Sequence, residues 1–418
     1  MRFVLLLWCL VLPLACFREG PARREHGRVS QEIYIWQRQW TQETSEALGQ
    51  VNRLSDGFLP LAGQLTWTEA GSSMVWTTLD WAALKQAGKS VGLALRIDPI
   101  ASKRAVTFHA QEAVQSAVKS LLDRAREQKL EVREVHLDFD AAESQLGMYC
   151  DWVTLVRETV KPVPVTFTAL PSWMNAANFP ALMHAGNGYV LQVHACEKPT
   201  LETRELCDPQ RAAAWVERAV KLAPGVPFRV ALPTYTYEVG FDAQGRFIGT
   251  QAEGAERNWP EGSTVHALRA DAVAQGKLVA AWTADRPPEM RGVVWFRLPT
   301  ALDQRNWKLI TLMKLLDMKS PAPHCVVQTA VSENGLLHDV TLQNVGDADA
   351  RLPARVLANW PSGLIQAMDG IGGYTANGED RGAMFTLKQD GVLAPGEHMA
   401  IGWLRFSNAT QPTFSIEN

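Results

Sequence analysis

The sequence predicts an α/β fold, a (β/α)8 barrel, followed by a small C-terminal all-β sandwich. Eight short apolar runs alternate with amphipathic stretches between Glu32 and about Leu316. No glycine-rich phosphate fingerprint follows the first run, which argues against a doubly wound nucleotide fold. Beyond Leu316 the helical period disappears, and alternating runs punctuated by turn residues replace it.

In chain order, strands are expected at 33–39, 58–66, 91–98, 132–140, 163–170, 189–194, 228–234 and 292–298. Helical spacing falls between several of them. The stretch 113–130 carries Val114, Val118, Leu121 and Leu122 on one face. Further helices follow at 146–160 and 209–222, the latter opened by Asp208 as a cap with Pro209 at the first helical position. Trp307 to Leu316 closes the series. The second and seventh units are less regular, and 237–276 reads as a long loop insertion. The barrel is thus placed at 31–318 and a linker, rich in proline, at 319–324. The sandwich takes 325–418, with strands at 326–331, 337–343, 355–358, 383–387 and 398–406. Asp369 to Gly373 reads there as turn chemistry, because no helix follows to complete a phosphate cradle.

The amino terminus predicts export. Met1-Arg2 precedes an apolar run over 3–12 and then Pro13-Leu14-Ala15-Cys16, a secretory pattern too short to span a membrane. Cys16 after Ala15 resembles a bacterial lipoprotein cleavage site, whose cysteine is lipidated. That resemblance implies a periplasmic or outer-membrane-anchored protein, with the arginine-rich 17–30 as a tether; an ordinary soluble exported protein is the alternative. Of the later cysteines, Cys196 and Cys207 flank the polar loop 197–206 and are expected to form a disulfide, with two free thiols as the alternative. Cys150 shares a helical stripe with Leu146, Val153 and Val156 and reads as core. No spacing resembles a zinc site, and no cofactor is indicated.

A net charge of −3 supplies no basic field for nucleic acid. Fifteen tryptophans fit either a packed core or platforms for sugar rings.

Candidate chemistry lies where strands end. Val135-His136-Leu137-Asp138-Phe139-Asp140 alternates with period two, so its histidine and two aspartates share one face. In a parallel barrel that face points inward, toward the upper rim where barrel enzymes keep their chemistry. Neighbouring strands add Arg96 and Asp98, Gln192 and His194, Tyr235, and Trp295 with Arg297. The first presents Tyr34, Trp36 and Arg38, and the second ends near Trp67 and Glu69. Individually, each has a plain structural role: Arg96 neutralises Asp138, His194 is a satisfied core histidine, Trp36 and Trp295 fill the barrel. Together they exceed what core filling requires.

Carboxylates with an aromatic lining favour glycosidic-bond chemistry, which needs one protonated and one ionised carboxyl group. Asp140, at the open end of its strand, is the expected reactive carboxylate, and Asp138 its orienting neighbour. Asp98, Glu69 and Glu238 compete for the second role.

Leu137-Asp138-Phe139-Asp140, followed by Leu146 and Tyr149, resembles the bacterial family known as domain of unknown function 3142. This resemblance implies a glycoside-hydrolase-like barrel and carries no established activity. More remotely, the strand is similar to the acidic strand of chitinase-like glycosidases. Asp138 and Asp140 match the alternating aspartates there, but Ala142 stands where the acid belongs and Glu143 is displaced by one. The expectation is an exported barrel acting on an oligo- or polysaccharide; the alternative is a non-catalytic carbohydrate-binding or envelope-associated protein.

Overall fold

The computed structural model describes residues 23–417, apart from 69–70, 101–106, 253–256, 380 and 389–390. The signal, Cys16, the tether as far as residue 22, and Glu69 lie outside the described residues.

The first part of the chain forms β1 (Ser30–Ile35), β2 (Gly57–Thr68), β3 (Gly71–Trp76), β4 (Ser90–Ile97), β5 (Glu134–Phe139), β6 (Val165–Ala169), β7 (Tyr189–Gln192) and β8 (Phe228–Pro233). β9 (Thr236–Phe241), β10 (Phe247–Gln251), β11 (Thr264–Arg269) and β12 (Met290–Phe296) follow. Eight of them pair in parallel in the order β1-β2-β4-β5-β6-β7-β8-β12, and β12 returns to β1, closing the barrel. β3 folds back on β2 as an antiparallel hairpin.

Around the barrel lie α1 (Gln42–Val51), α2 (Trp81–Ala87), α3 (Thr107–Glu127), α4 (Leu146–Thr159), α5 (Phe179–Ala185), α6 (Pro209–Leu222), α7 (Ala272–Ala284) and α8 (Leu309–Leu316). α6 begins as its sequence dictates: Asp208 accepts hydrogen bonds from the amides of Gln210 and Arg211, and Pro209 opens the first turn. α2 stops at Gly88, whose φ of 61° favours glycine. α7 is apolar around most of its circumference and so carries no helical stripe for the sequence to reveal.

The stretch 237–276 is not a loop. It builds the three-stranded antiparallel sheet β10-β9-β11, packed through Tyr237, Val239, Phe241 and Leu268, and runs into α7. Gly240 breaks the apolar alternation because a Cβ there would meet the Trp259 ring at 2.2 Å.

The main core lies between strands and helices. Val135, Leu137 and Phe139 point outward from β5 and are fully buried. Phe139 packs 5.2 Å from both Tyr149 and Trp152 of α4, and Tyr149 donates to the Leu137 carbonyl at 3.0 Å. Each such buried side chain stabilises by roughly 1.5–3 kcal/mol.

The barrel interior is mixed. A small apolar cluster of Tyr34, Leu59, Val190, Ala231 and Val294 fills its middle. Beneath it, at the amino-terminal floor, Arg133 grips both oxygens of Glu32 at 2.6 and 2.8 Å and reaches Glu134 at 2.6 Å. Arg229 bonds Glu32 and lies 2.7 Å from Glu134. Burial pushes the Glu134 carboxyl up, but Arg229 and Arg133 outweigh it and hold it below the usual range.

Trp295 corrects the expected strand facing. It points outward, fully buried, donating to Gln31 at 2.9 Å and packing against Trp307. Val293 to Phe296 is apolar on both faces, so alternation did not signal which set faces inward. Val294 and Phe296 do.

The C-terminal part comprises β13 (Cys325–Val331), β14 (Leu337–Asn344), β15 (Ala350–Arg351), β16 (Arg355–Asn359), β17 (Ile365–Gly370), β18 (Tyr374–Glu379), β19 (Gly382–Leu387), β20 (Val392–Leu393), β21 (His398–Phe406) and β22 (Thr413–Glu417). Two four-stranded antiparallel sheets, β13-β14-β21-β17 and β18-β19-β16-β22, enclose a core of Val340, Leu342, Val356, Phe385, Ile401 and Leu404. Asp369 and Gly370 end a strand rather than lying in the expected turn. Gly372 and Gly373, at φ of 60° and 85°, supply it. The sandwich is fastened to α8: the Lys308 amide donates to Asp349 at 2.7 Å, and Lys314 pairs with Asp347 at 2.9 Å.

Replacing Arg229 by leucine leaves Glu32 and Glu134 buried with a single cation. Unfolding free energy from urea titration should drop by about 3–5 kcal/mol; a loss below about 1 kcal/mol would show that the floor pairs are dispensable.

Candidate active site

At the carboxyl-terminal rim, Arg96 of β4 stands beside β5 because the two strands pair Arg96 opposite Asp138. Its guanidinium donates to Asp138 at 2.8 Å and to Asp140 at 3.2 Å. Environment separates the two carboxylates. The Asp138 side chain is 8% exposed and the Asp140 side chain 44%. The Thr168 hydroxyl of β6 donates to Asp138 at 2.7 Å. Burial first, then the charge of Asp140, push Asp138 up to about 6, against the pull of Arg96 and Thr168.

Below Asp138 a polar chain continues into the barrel. His136 hydrogen-bonds Thr168 at 3.1 Å, Thr166 at 2.9 Å and the Tyr34 hydroxyl at 2.9 Å. Burial holds its imidazole well below the ordinary histidine value, so it is neutral. Asp98, just past β4, accepts from Gln64 at 2.6 Å, and its carbonyl accepts from the Trp67 indole at 2.8 Å. Its charge is felt at Arg96, which places it with the pair.

On the opposite side of the rim, His194 stacks on Phe296 at 5.6 Å, and its Nδ1 lies 3.3 Å from the Tyr235 hydroxyl. Burial lowers this imidazole to about 3, and its Nε2 has no partner among the described residues. Trp36 packs 5.4 Å from Phe296, and Tyr235 lies 5.7 Å from the same ring. Asp140 adds to the burial that raises Tyr235 and Cys196, so the acidic and aromatic halves share one electrostatic environment.

The structure therefore brings together Asp138, Asp140, Arg96 and Asp98, and, across the rim, Trp36, His194 and Tyr235. Gln192 donates to the His194 carbonyl at 3.2 Å and is half-buried. Arg297 is turned to Asp303 at 2.5 Å, and Arg38 is exposed beyond β1. Trp295 is excluded by its outward facing. Glu238 is paired with Arg305 at 3.3 Å. The expected disulfide is not formed. Cys196 and Cys207 are free, the Cys196 thiol donating to the Gln192 and His194 carbonyls at 3.1 and 3.2 Å. Burial pushes both thiols up to about 12. Tyr34 faces inward as expected, whereas Thr168, Gln64 and Phe296 were not singled out from the sequence. The alternation Val165-Thr166-Phe167-Thr168 was the available signal for the first. Among the described residues, no three His, Cys, Asp or Glu side chains converge as a metal site requires. Glu143 opens a short helical turn at 143–145 and is exposed, and Ala142 leaves its own position without a carboxylate.

Residues 96–301 match the family model described as Domain of unknown function (DUF3142), and 327–407 match a second, Domain of unknown function (DUF8456). No curated protein matches the chain by sequence. Among solved structures, the spore cortex-lytic enzyme SleL of Bacillus megaterium QM B1551 is similar at 11% identity and a TM-score of 0.50, covering 71% of this chain and 75% of that one. SleL of Bacillus cereus is similar at 11% identity and a TM-score of 0.49, over 70% and 75%. A chitinase of Chromobacterium violaceum ATCC 12472 is similar at 12% identity and a TM-score of 0.47, over 69% and 98%. At such identity the first of these likenesses speaks for the barrel fold alone.

Folded Asp138 titrates at about 6, above the ordinary aspartate value of 3.8. The folded state therefore takes up a proton between those values, and this contribution to stability is lost as pH rises through about 6. Unfolding free energies of wild type and Asp138→Asn, measured by urea titration from about pH 4 to 7, should diverge in favour of the variant as pH rises. A difference independent of pH would contradict the shift.

Proposed function

We propose that this barrel, whose segment 96–301 matches DUF3142, acts on the glycosidic bond of an oligo- or polysaccharide at its carboxyl-terminal rim. One observation carries the reading. Asp138 and Asp140 share a single guanidinium, yet one is sealed and titrates near 6 while the other reaches solvent. Pushing the titrations of neighbouring carboxyl groups apart is how a site separates proton-holding and charge-stabilising roles.

In this mechanism Asp140 is the carboxylate that meets the positive charge developing at the anomeric carbon. Asp138 is a positioning residue: buried under Arg96, it shares that guanidinium with Asp140 and orients it. Asp98, held by Gln64 within reach of Arg96, takes the second carboxylate role toward the leaving oxygen. Trp36 and Tyr235 offer ring faces for sugar C–H groups, and His194 and Gln192 offer polar atoms for hydroxyls. Export, with Cys16 as the site of lipid attachment, belongs to the same proposal and is supported by the apolar run 3–12.

A second reading is a non-catalytic carbohydrate-binding barrel. It is favoured by Ala142 at the chitinase-like acid position, and by donors that already occupy Asp98 and Asp138.

The two readings separate on Asp140→Asn. For the enzyme, release of reducing ends from a glycan panel should fall by about 100-fold or more while binding stays within a few-fold. Binding without release by the wild-type protein would establish the second reading instead.

A further inference from the structure

A cavity of about 870 Å³ lies between the barrel and the C-terminal sandwich. This volume falls within the ordinary range for small-molecule sites, which favour domain boundaries. The barrel contributes Arg204, Asp271 and Gln304, and the sandwich Arg351, Leu352 and Leu387. Arg204 also lines a neighbouring cavity of about 310 Å³, whose wall includes Cys196 and Tyr237 beside the rim residues His194 and Tyr235. Asn306, on the wall of the larger cavity, pairs through its backbone with Tyr235. The smaller hollow thus lies beside the aromatic side of the rim, and the larger, which shares Arg204 with it, lies at the sandwich.

Charge identifies the kind of occupant. Arg204, Arg269 and Arg351 are matched by Asp271 and Asp349 on the same wall and by Glu205, which feels Arg351 and Asp271. With Glu205 counted from the adjoining hollow, three cations face three carboxyl groups, which leaves little net field to draw an anionic chain. It offers donors and acceptors side by side, with apolar patches between, which suits hydroxyls alternating with C–H faces.

We propose that this cleft binds an uncharged segment of the glycan several sugars from the cleavage point, so that the sandwich takes part in recognising long chains. The inference rests on the carbohydrate reading of the rim and extends it. Arg351 and Gln304 are exposed and lie outside the rim machinery, so their removal tests the cleft alone.

The experiment is calorimetric titration of the full chain, and of Arg351→Ala/Gln304→Ala, with disaccharides and hexasaccharides. The neutral panel is the chito-, cello-, malto- and xylo-series, and polygalacturonate serves as the anionic probe. Hexasaccharide binding should weaken about tenfold in the double variant while disaccharide binding is unchanged. Unchanged hexasaccharide binding overturns the cleft while leaving the rim reading intact. Binding of polygalacturonate alone overturns the uncharged class. A wild-type protein that binds no member of the panel removes the carbohydrate reading and this inference together. Thermal melts of both proteins show whether the double variant remains folded.

Discussion

One guanidinium organises the upper half of this barrel. Arg96 is the residue that allows two aspartates, spaced two apart on β5, to sit at one strand end. Without it, Asp138 would be a buried carboxylate with one hydroxyl partner, and burial alone would hold it protonated. With it, the strand can carry an acidic face into a closed interior and still fold. The planar fork matters, since its two nitrogens reach two separate carboxylates at once; a lysine offers a single point charge. The Thr168–His136–Tyr34 chain below then satisfies the remaining polar atoms with neutral groups, adding no further charge to the interior.

The barrel was legible because parallel strands buried on both sides leave compact apolar runs, and all eight fall where such runs stand in the sequence. The C-terminal strands with a clear buried face were legible for a related reason. Ile365–Gly370 and Thr413–Glu417 were not, since they alternate between half-buried and exposed positions with little apolar contrast. The β9–β11 sheet was hidden by Gly240, and α7 by its nearly uniform apolarity. At the site, β5 announced its polar face by strict alternation, whereas β12 is apolar on both faces and misled about Trp295. Partners brought by tertiary pairing, such as Thr168 beneath Asp138, have no local signature beyond their own strand's alternation. Leu146 and Tyr149, which carried the family resemblance, prove to be fully buried on α4, and Tyr149 locks that helix to β5 and so holds the acidic strand in place.

The two ends of the barrel handle charge in opposite ways. At the floor, Arg133 and Arg229 face Glu32 and Glu134, two cations against two anions, each carboxylate bonded by both arginines. That arrangement is complete, and its partners are largely shielded from water. At the rim, one cation, Arg96, faces Asp138 and Asp140, with Asp98 near enough for its charge to be felt. A structure that needed only neutrality could repeat the floor's solution. Among the described residues the rim leaves negative charge uncompensated, and part of that excess is relieved by a proton on Asp138 near pH 6. An exposed carboxylate backed by a buried, proton-accepting neighbour is poorly suited to holding the fold together, because its repulsion opposes folding. It is well suited to meeting a positive charge that appears only transiently, since the stabilisation is realised when that charge develops and costs no rearrangement then. For the proposed role of Asp140, the asymmetry between floor and rim among the described residues is thus a stronger support than the presence of the aspartates alone.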